Sequence, residues 1–559
     1  MATDTAPFPS GKTHATQESL AGAPPLTESE VTAGNDFAKK TDGATSMISA
    51  LVFISRITGF MRTWAQALAI GVTPLASCYT VANNLPSQLY ELVVGGMLVT
   101  AFLPVYMSLK NEKGAGEARR YATNLTSIVT IGMLAITVIS MLFAAQIVWT
   151  QSFGATAEFD HGTATWFFRF FAVEMLLYSL SSIFSGILNA EREYLWSSVA
   201  PIANNVVTIA SFFAYIMLVG NNPMMAMLVL ALGNPLGVLA QVLIQLPSAR
   251  KAGVSFTPKI DLKDPALKDT LSIGIPSLVV MVCSFVTVSV QTSSCLSVTA
   301  AGASIAAYAR LWYTLPYAIF VVPITTTMFT ELSDRFSNHD TEGWREGVSY
   351  GIGRILFVSI PLALLLGIFS YRLVSMIGPD FSDAETAMTA EYLVALSVAL
   401  PFYGVGMFLQ KICSSVRAMR TYAVTNIVAA AIQVIVCVAL TPLFGIMVVA
   451  YSTLAYFVAV DIASLVSLRR QYGNLGITRS IKAGLRGTVC GLAGAGTGLV
   501  LLSVLYGGMG AVQHSTMASV IQCVVAGVPA LVAVVAVAVI LRFEEVTGLI
   551  SIVKKRISK

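Results

Sequence analysis

Apolar residues run through most of this chain in blocks of about 20 or more, long enough to cross the roughly 30 Å hydrocarbon core of a bilayer as α-helices. They predict an all-α polytopic membrane protein of fourteen spans, the first seven at 46–70, 79–107, 121–149, 163–188, 197–219, 223–247 and 268–298. The rest lie at 301–331, 350–370, 389–413, 421–441, 445–468, 484–506 and 517–541. Residues 1–45 break the pattern: Ser, Thr, Ala, Gly, Pro and charged residues mix without an apolar run, which predicts a disordered tail. No basic segment followed by a short apolar core opens the chain, so the first span, not a cleavable signal peptide, is expected to direct insertion.

Polar residues between the blocks are sorted by sign. Every second link is basic: Lys110, Lys113, Arg119 and Arg120; Arg192; Arg250, Lys251, Lys259 and Lys263. The series continues with Arg335 and Arg345, Arg417 and Arg420, then Arg469, Arg470, Arg479 and Lys482. The alternate links hold Glu158, Asp160, Asp380, Asp383 and Glu385, with Arg372 the exception. By the positive-inside rule both termini are expected in the cytoplasm, and the closing KKRISK within 542–559 reads as a basic juxtamembrane anchor.

Composition agrees: of 559 residues 55% are hydrophobic and 11% charged, with a mean hydropathy of +0.75. The net charge of +5 comes from the links and so reports topology, not nucleic-acid binding. Seven cysteines stand singly, as small buried hydrophobes do. His14, His161, His339 and His514 lie outside the spans and far apart, which argues against a metal site or a histidine-based active site. Gly11-Lys12-Thr13 resembles the end of a P-loop, but Ala6 stands where its first glycine belongs. With no catalytic constellation and no cofactor implied, the chain reads as a transporter rather than an enzyme, driven by an ion gradient, the membrane potential or its substrate's own gradient.

A weak repeat divides the spans. Leu85-Pro86, Arg192 and Asn204 are echoed by Leu315-Pro316, Arg417 and Asn426, about 220–230 residues on. Two six-helix lobes follow, 46–247 and 268–468, with 484–541 appended and a site expected between the lobes.

Charges inside the spans mark that site. A charged side chain at bilayer depth costs at least about 2.5 kcal/mol, so Arg56 and Arg62 in the first span require a partner, a wet cavity or an anionic ligand. At 100° per residue Arg56, Gly59, Arg62, Thr63 and Gln66 share an arc of about 120°, which should face the bundle interior. Arg62 and Arg310 both lie about 12–14 Å from the outer ends of their helices, and Glu91 about 18 Å. Glu91 paired with Arg62 or Arg310 would merely lock helices together; yet one acid cannot neutralise three arginines, and an anion accounts better for the surplus, since the guanidinium fork suits phosphate oxygens. Arg169, Glu174, Lys411 and Asp461 carry less weight, as residues that snorkel or pair locally. Prolines in spans 2, 7 and 8 stand where bending could gate a cavity, and Gly487, Gly491, Gly494 and Gly498 suggest tight packing of span 13, against span 14.

Several motifs together resemble a known family. They are Ser55-Arg56-Ile-Thr-Gly59-Phe-Met-Arg62; Leu85-Pro86 with Gly95-Gly96 and Ala101-Phe102-Leu103-Pro104; Gly186-Ile-Leu-Asn189 with Ala200-Pro201; and Tyr308-Ala-Arg310 with Leu315-Pro316. The pattern is similar to the MurJ (MviN) lipid II flippases of the multidrug/oligosaccharidyl-lipid/polysaccharide (MOP) exporter superfamily, through all fourteen spans in order. The resemblance implies alternating access in a bacterial inner membrane: spans 1, 2, 7 and 8 around a cationic cavity for the diphosphate-linked head group of lipid II, and spans 13 and 14 as a groove for its polyprenyl tail. Arg62 and Arg310 match arginines that hold the diphosphate, and Arg56 another important arginine. Gly59, Gln66, Asn84 and Glu91 are the candidate cavity-lining residues. Thr63, Ser77, Asn84, Tyr90 and Ala309 replace charged residues of the family pattern, so the cavity is expected to be less charged and another lipid-linked glycan stays open as substrate. The competing readings are a drug exporter and a non-transporting scaffold that recruits cell-wall synthesis proteins through the tail; the expected partners are lipid II and membrane lipids, and no nucleic acid.

Overall fold

The computed structural model describes residues 28–95, 102–253, 260–261, 263–416 and 418–545. The first 27 residues of the expected tail and residues 546–559 of the basic C-terminus lie outside these. The stretch to Val52 forms one unit, helical where described, and Phe53 onward forms a second.

All the regular structure described is helical. In order come α1 (Glu28–Ile70), α2 (Pro74–Tyr90), α3 (Leu103–Lys113), α4 (Ala115–Leu142), α5 (Ala144–Trp149), α6 (His161–Phe171) and α7 (Val173–Ala190). Then follow α8 (Tyr194–Val219), α9 (Pro223–Lys251), α10 (Pro265–Val298), α11 (Gly302–Pro316), α12 (Val322–Ser337) and α13 (Thr341–Ile368). The series ends with α14 (Ser370–Ile377), α15 (Asp383–Ser397), α16 (Leu400–Ser415), α17 (Met419–Phe444), α18 (Met447–Tyr472), α19 (Ile477–Tyr506) and α20 (Thr516–Ile540). The described part of α1 takes in residues 28–45 of the expected tail. Residues 28–45 contain no proline to interrupt a helix.

Among the described residues eleven helices are long and apolar enough to cross a membrane, or twelve when the pair α15 and α16, bent by 49°, counts as one. Twelve of the fourteen expected spans coincide with these, and the first two fall outside that set. Span 1 carries its arginines, and span 2 is broken into α2, a π-helical turn at Glu91–Gly95, and α3. A second π-turn, Tyr317–Val321, separates α11 from α12. Each follows a Leu-Pro pair of the sequence repeat, Pro86 and Pro316. Proline removes a backbone donor and clashes with the preceding turn, so each pair weakens the helix just ahead of its π-turn.

Packing builds the cavity walls. In the N-terminal half Tyr79 makes edge contacts with Phe167, Phe171 and Phe212, at centroid distances of 5.5, 5.3 and 5.6 Å. The far end of α1 packs into both halves: Ala65 and Ile70 join the N-terminal core, whereas Ala67, with Val72 just beyond the helix, is buried with Ile305, Tyr308 and Trp312, and Phe60 meets Trp312 edge-on at 5.1 Å. The glycine stripe of α19 faces two neighbours, not one. A Cβ on Gly487 or Gly491 would come within 3.0 Å of Phe357 Cα or 2.9 Å of Pro361 Cα on α13, whereas Gly494 abuts Ala530 on α20. Small residues permit both close approaches, so α19 packs tightly against α13 and α20.

Candidate functional site

A cavity of about 420 Å³ opens between the halves, walled by α1, α2, α10, α11 and one residue of α15. Arg62 and Arg310 both line it, so the two arginines placed at equal depth by sequence do converge on one space. Gln66 and Asn84 line it as well. Around them stand Thr80, Asn83, Gln88, Gln291 and Tyr392, and no carboxylate is among the described lining residues. Two cations among amides and hydroxyls make a site for an anion with many oxygens.

The two arginines have different surroundings. Arg310 donates to Gln291 Oε1 at 3.4 Å; Gln291 in turn donates to Thr453 Oγ1 at 2.8 Å and Ser452 Oγ at 3.4 Å on α18. Arg62 faces a different neighbourhood: its charge acts on Tyr79, Glu174 and Tyr178. Glu174 is wholly buried, with the Tyr178 hydroxyl as its polar neighbour. On the cavity wall Asn83 accepts a hydrogen bond from Asn234, which accepts one from Thr208 at 3.2 Å.

Three of the expected site residues lie elsewhere. Glu91 is exposed at the first position of the π-turn and pairs with neither arginine among the described residues, so the helix-locking ion pair is not formed. The π-turn that begins there shifts the helical phase, which spacing along an ideal helix does not foresee. Arg56 is exposed and off the cavity wall, close enough to Tyr317 and Tyr403 to influence them electrostatically. Gly59 faces α8, where an added Cβ would lie 3.7 Å from Asn205 Nδ2; that amide donates to Thr58 Oγ1 at 3.0 Å. Sequence reasoning gave Glu174 little weight and missed Gln291. The signal for Glu174 was present, an acid within an apolar span; an uncharged glutamine inside a span carries none.

Four hydrogen bonds tie the halves together at the end remote from the basic links. Tyr308 Oη donates to Gly71 O at 3.0 Å, and the Ser304 amide to Ser77 Oγ at 3.1 Å. Gly154 N donates to Ser293 Oγ at 2.7 Å, and Thr156 N to Leu296 O at 3.0 Å. The cavity is therefore latched at that end. Outside the spans there, Asp160 caps α6, and its hydrogen bonds from Thr163 hold its carboxyl below the usual range.

The family model for the lipid II flippase MurJ matches residues 66–521. The chain belongs to the MurJ family. The match starts just after Arg62, so that residue's place rests on cavity geometry. Among MurJ relatives, the chain is 24% identical over 381 residues to the "Probable lipid II flippase MurJ" of Borreliella burgdorferi, covering 68% of this chain and 73% of that one. It is 22% identical over 366 residues to the "Lipid II flippase MurJ" of Burkholderia cenocepacia, covering 64% and 69%. A solved MurJ structure in an inward closed conformation superposes with a TM-score of 0.70 at 18% identity, over 88% of this chain and 98% of that one. An inward-facing multidrug transporter of the MATE family and MOP superfamily gives 0.61 at 14% identity, over 77% and 95%. The fold is thus that of MurJ and MATE transporters.

Proposed function

We propose that this protein is a lipid II flippase, moving the undecaprenyl-diphosphate-linked peptidoglycan precursor from the cytoplasmic to the outer leaflet of the bacterial inner membrane by alternating access. Family membership supports the lipid II assignment. The observation that carries the mechanism is the pair of arginines from opposite halves, Arg62 and Arg310, on one polar cavity without a lining carboxylate among the described residues. A diphosphate between them draws the halves together, and release on the far side requires them to part; this makes the four-bond latch the outer gate, closed while the site faces the cytoplasm. The basic links support a cytoplasmic position for both termini. The π-turns after Pro86 and Pro316 are the hinges of this scheme.

Residues 46–247 and 268–468 act as the two lobes, 484–541 as the groove for the lipid tail, and Gln66 and Asn84 as head-group contacts. A drug exporter of cationic substrates would need acidic residues in the cavity, and its lining favours the anion. In cells depleted of their own flippase, the native chain restores growth, whereas Arg62→Ala and Arg310→Ala insert normally and fail to do so. Full rescue by both variants would overturn the site assignment.

A further inference from the structure

Where α13, α19 and the residues following α20 meet, basic side chains outnumber acids. Arg354, Arg479, Lys482 and Arg486 line two adjoining clefts together with Glu544 and Glu545, the larger about 350 Å³ in volume. Arg486 Nη1 lies 3.2 and 3.3 Å from the two oxygens of Glu545, with its guanidinium 5.6 Å from the centre of the Phe543 ring. Arg479 is 3.9 Å from Glu544, both largely exposed, and 5.9 Å from the Tyr350 ring. No described acid pairs with Arg354 or Lys482. Two carboxylates thus occupy a place built for more negative charge.

The helix continues the argument. At 100° per residue Arg479, Lys482 and Arg486 fall within an arc of about 60° on α19. Beside them Ile481, Leu485, Val489, Leu492 and Leu499 form an exposed apolar lane running away along the same helix. A charged shelf at the head of an apolar lane fits an amphiphile whose head is anionic and whose tails are hydrocarbon.

We infer that this cleft binds the phosphate head group of an anionic bilayer lipid, its chains lying along α19, and that Glu544 and Glu545 hold the place of that phosphate until it displaces them. The guanidinium forks of Arg479 and Arg486 accept either anion in the same geometry. The exposed Arg479–Glu544 contact is the weaker of the two and yields first. The site lies outside the central cavity; the lipid's chains share α19 with the groove proposed for the lipid tail, whereas the charged cleft stands apart from the transport reading.

Native mass spectrometry and thermal unfolding of the full-length protein in detergent test it, with phosphatidylglycerol, phosphatidylcholine and inorganic phosphate as probes. Phosphatidylglycerol is expected to be retained at least tenfold better than phosphatidylcholine and to raise the melting temperature. Arg354→Gln with Lys482→Gln abolishes that preference, while Glu544→Gln with Glu545→Gln strengthens retention severalfold. The opposite signs separate a lost site from a misfolded chain. Equal retention of the two lipids, a preference unchanged in both double variants, or full stabilisation by inorganic phosphate alone would overturn the assignment to a lipid.

Discussion

Two regions of this molecule hold arginine without an ion pair among the described residues, Arg372 in a link just past the ninth span and Arg62 and Arg310 within the spans, and they do so in opposite ways. At the corner between α14 and the α19–α20 loop, Arg372 is completely buried and donates to four backbone carbonyls: Tyr506 at 3.4 Å, Gly508 at 2.8 Å, Met509 at 3.5 Å, and Ala511. Gly507 and Gly508, with φ of 77° and 106°, turn the chain so that those carbonyls converge. In the central cavity, Arg62 and Arg310 face open space, and Arg310 has one long hydrogen bond, to Gln291. The cost of a buried cation is met by the protein in the first region. In the second it is left for a ligand to meet.

The comparison breaks most easily at its two ends. Arg372→Ala strips charged hydrogen bonds from several carbonyls at once, a loss of about 3 kcal/mol or more, and lowers the melting temperature by something on the order of 5 °C. Arg62→Ala and Arg310→Ala remove cations that lack full partners and leave the melting temperature nearly unchanged, while abolishing growth rescue. Thermal unfolding of the three purified variants beside their complementation decides it. A stable Arg372→Ala, or a strongly destabilised Arg310→Ala, would erase the distinction.

Glu174 sharpens the cavity side. Its carboxyl lies within the α7 core, where burial opposes its charge and Arg62 favours it, so any charge it carries draws on the same guanidinium that a diphosphate would engage. Glu174→Gln keeps the volume and removes the competitor, so binding of lipid II to the purified protein is expected to tighten by a few-fold. Glu174→Ala adds a cavity and also destabilises, by about 1–3 kcal/mol. Weaker binding by the glutamine variant would mean that Glu174 orients Arg62 instead.

Most of this architecture was legible in the sequence because lipid imposes a coarse rule: spans must be apolar and about 20 residues long. Arg62 and Arg310 were legible for the same reason, as exceptions whose depth can be counted along straight helices. Glu91 and Arg56 were misplaced where that counting fails. A π-turn begins at Glu91, and the Arg56 face of α1 turns out to be exposed. Arg372 was visible only as an anomaly among the acidic links; its purpose depends on a loop more than 130 residues away that no local pattern announces. Gln291 was invisible because an uncharged amide among apolar neighbours carries no sign of what it touches.

At the other end of the bundle a surface ion pair supplies the mildest test of the same principle. Lys110 Nζ lies 2.9 Å from each oxygen of Glu191, and Tyr106 Oη donates to Oε1 at 2.9 Å, tying α3 to the turn after α7. Burial pushes the Glu191 carboxyl up, but the hydrogen bonds from Lys110 and Tyr106 and the charges of Lys110 and Arg119 outweigh it and hold the group below its usual range. A carboxyl lowered in the folded state stabilises above its unfolded value, near pH 4.3, and that contribution is lost as pH falls through the folded value. With both side chains about a quarter exposed, solvent screening limits the pair to about 1 kcal/mol at neutral pH. Glu191→Gln should therefore melt slightly below the native protein at pH 7, and the gap should close as the pH is lowered past about 4. A gap that persists undiminished at lower pH would assign the contact between α3 and α7 to packing around Tyr106, and would leave charge satisfaction decisive only for the arginines within the membrane.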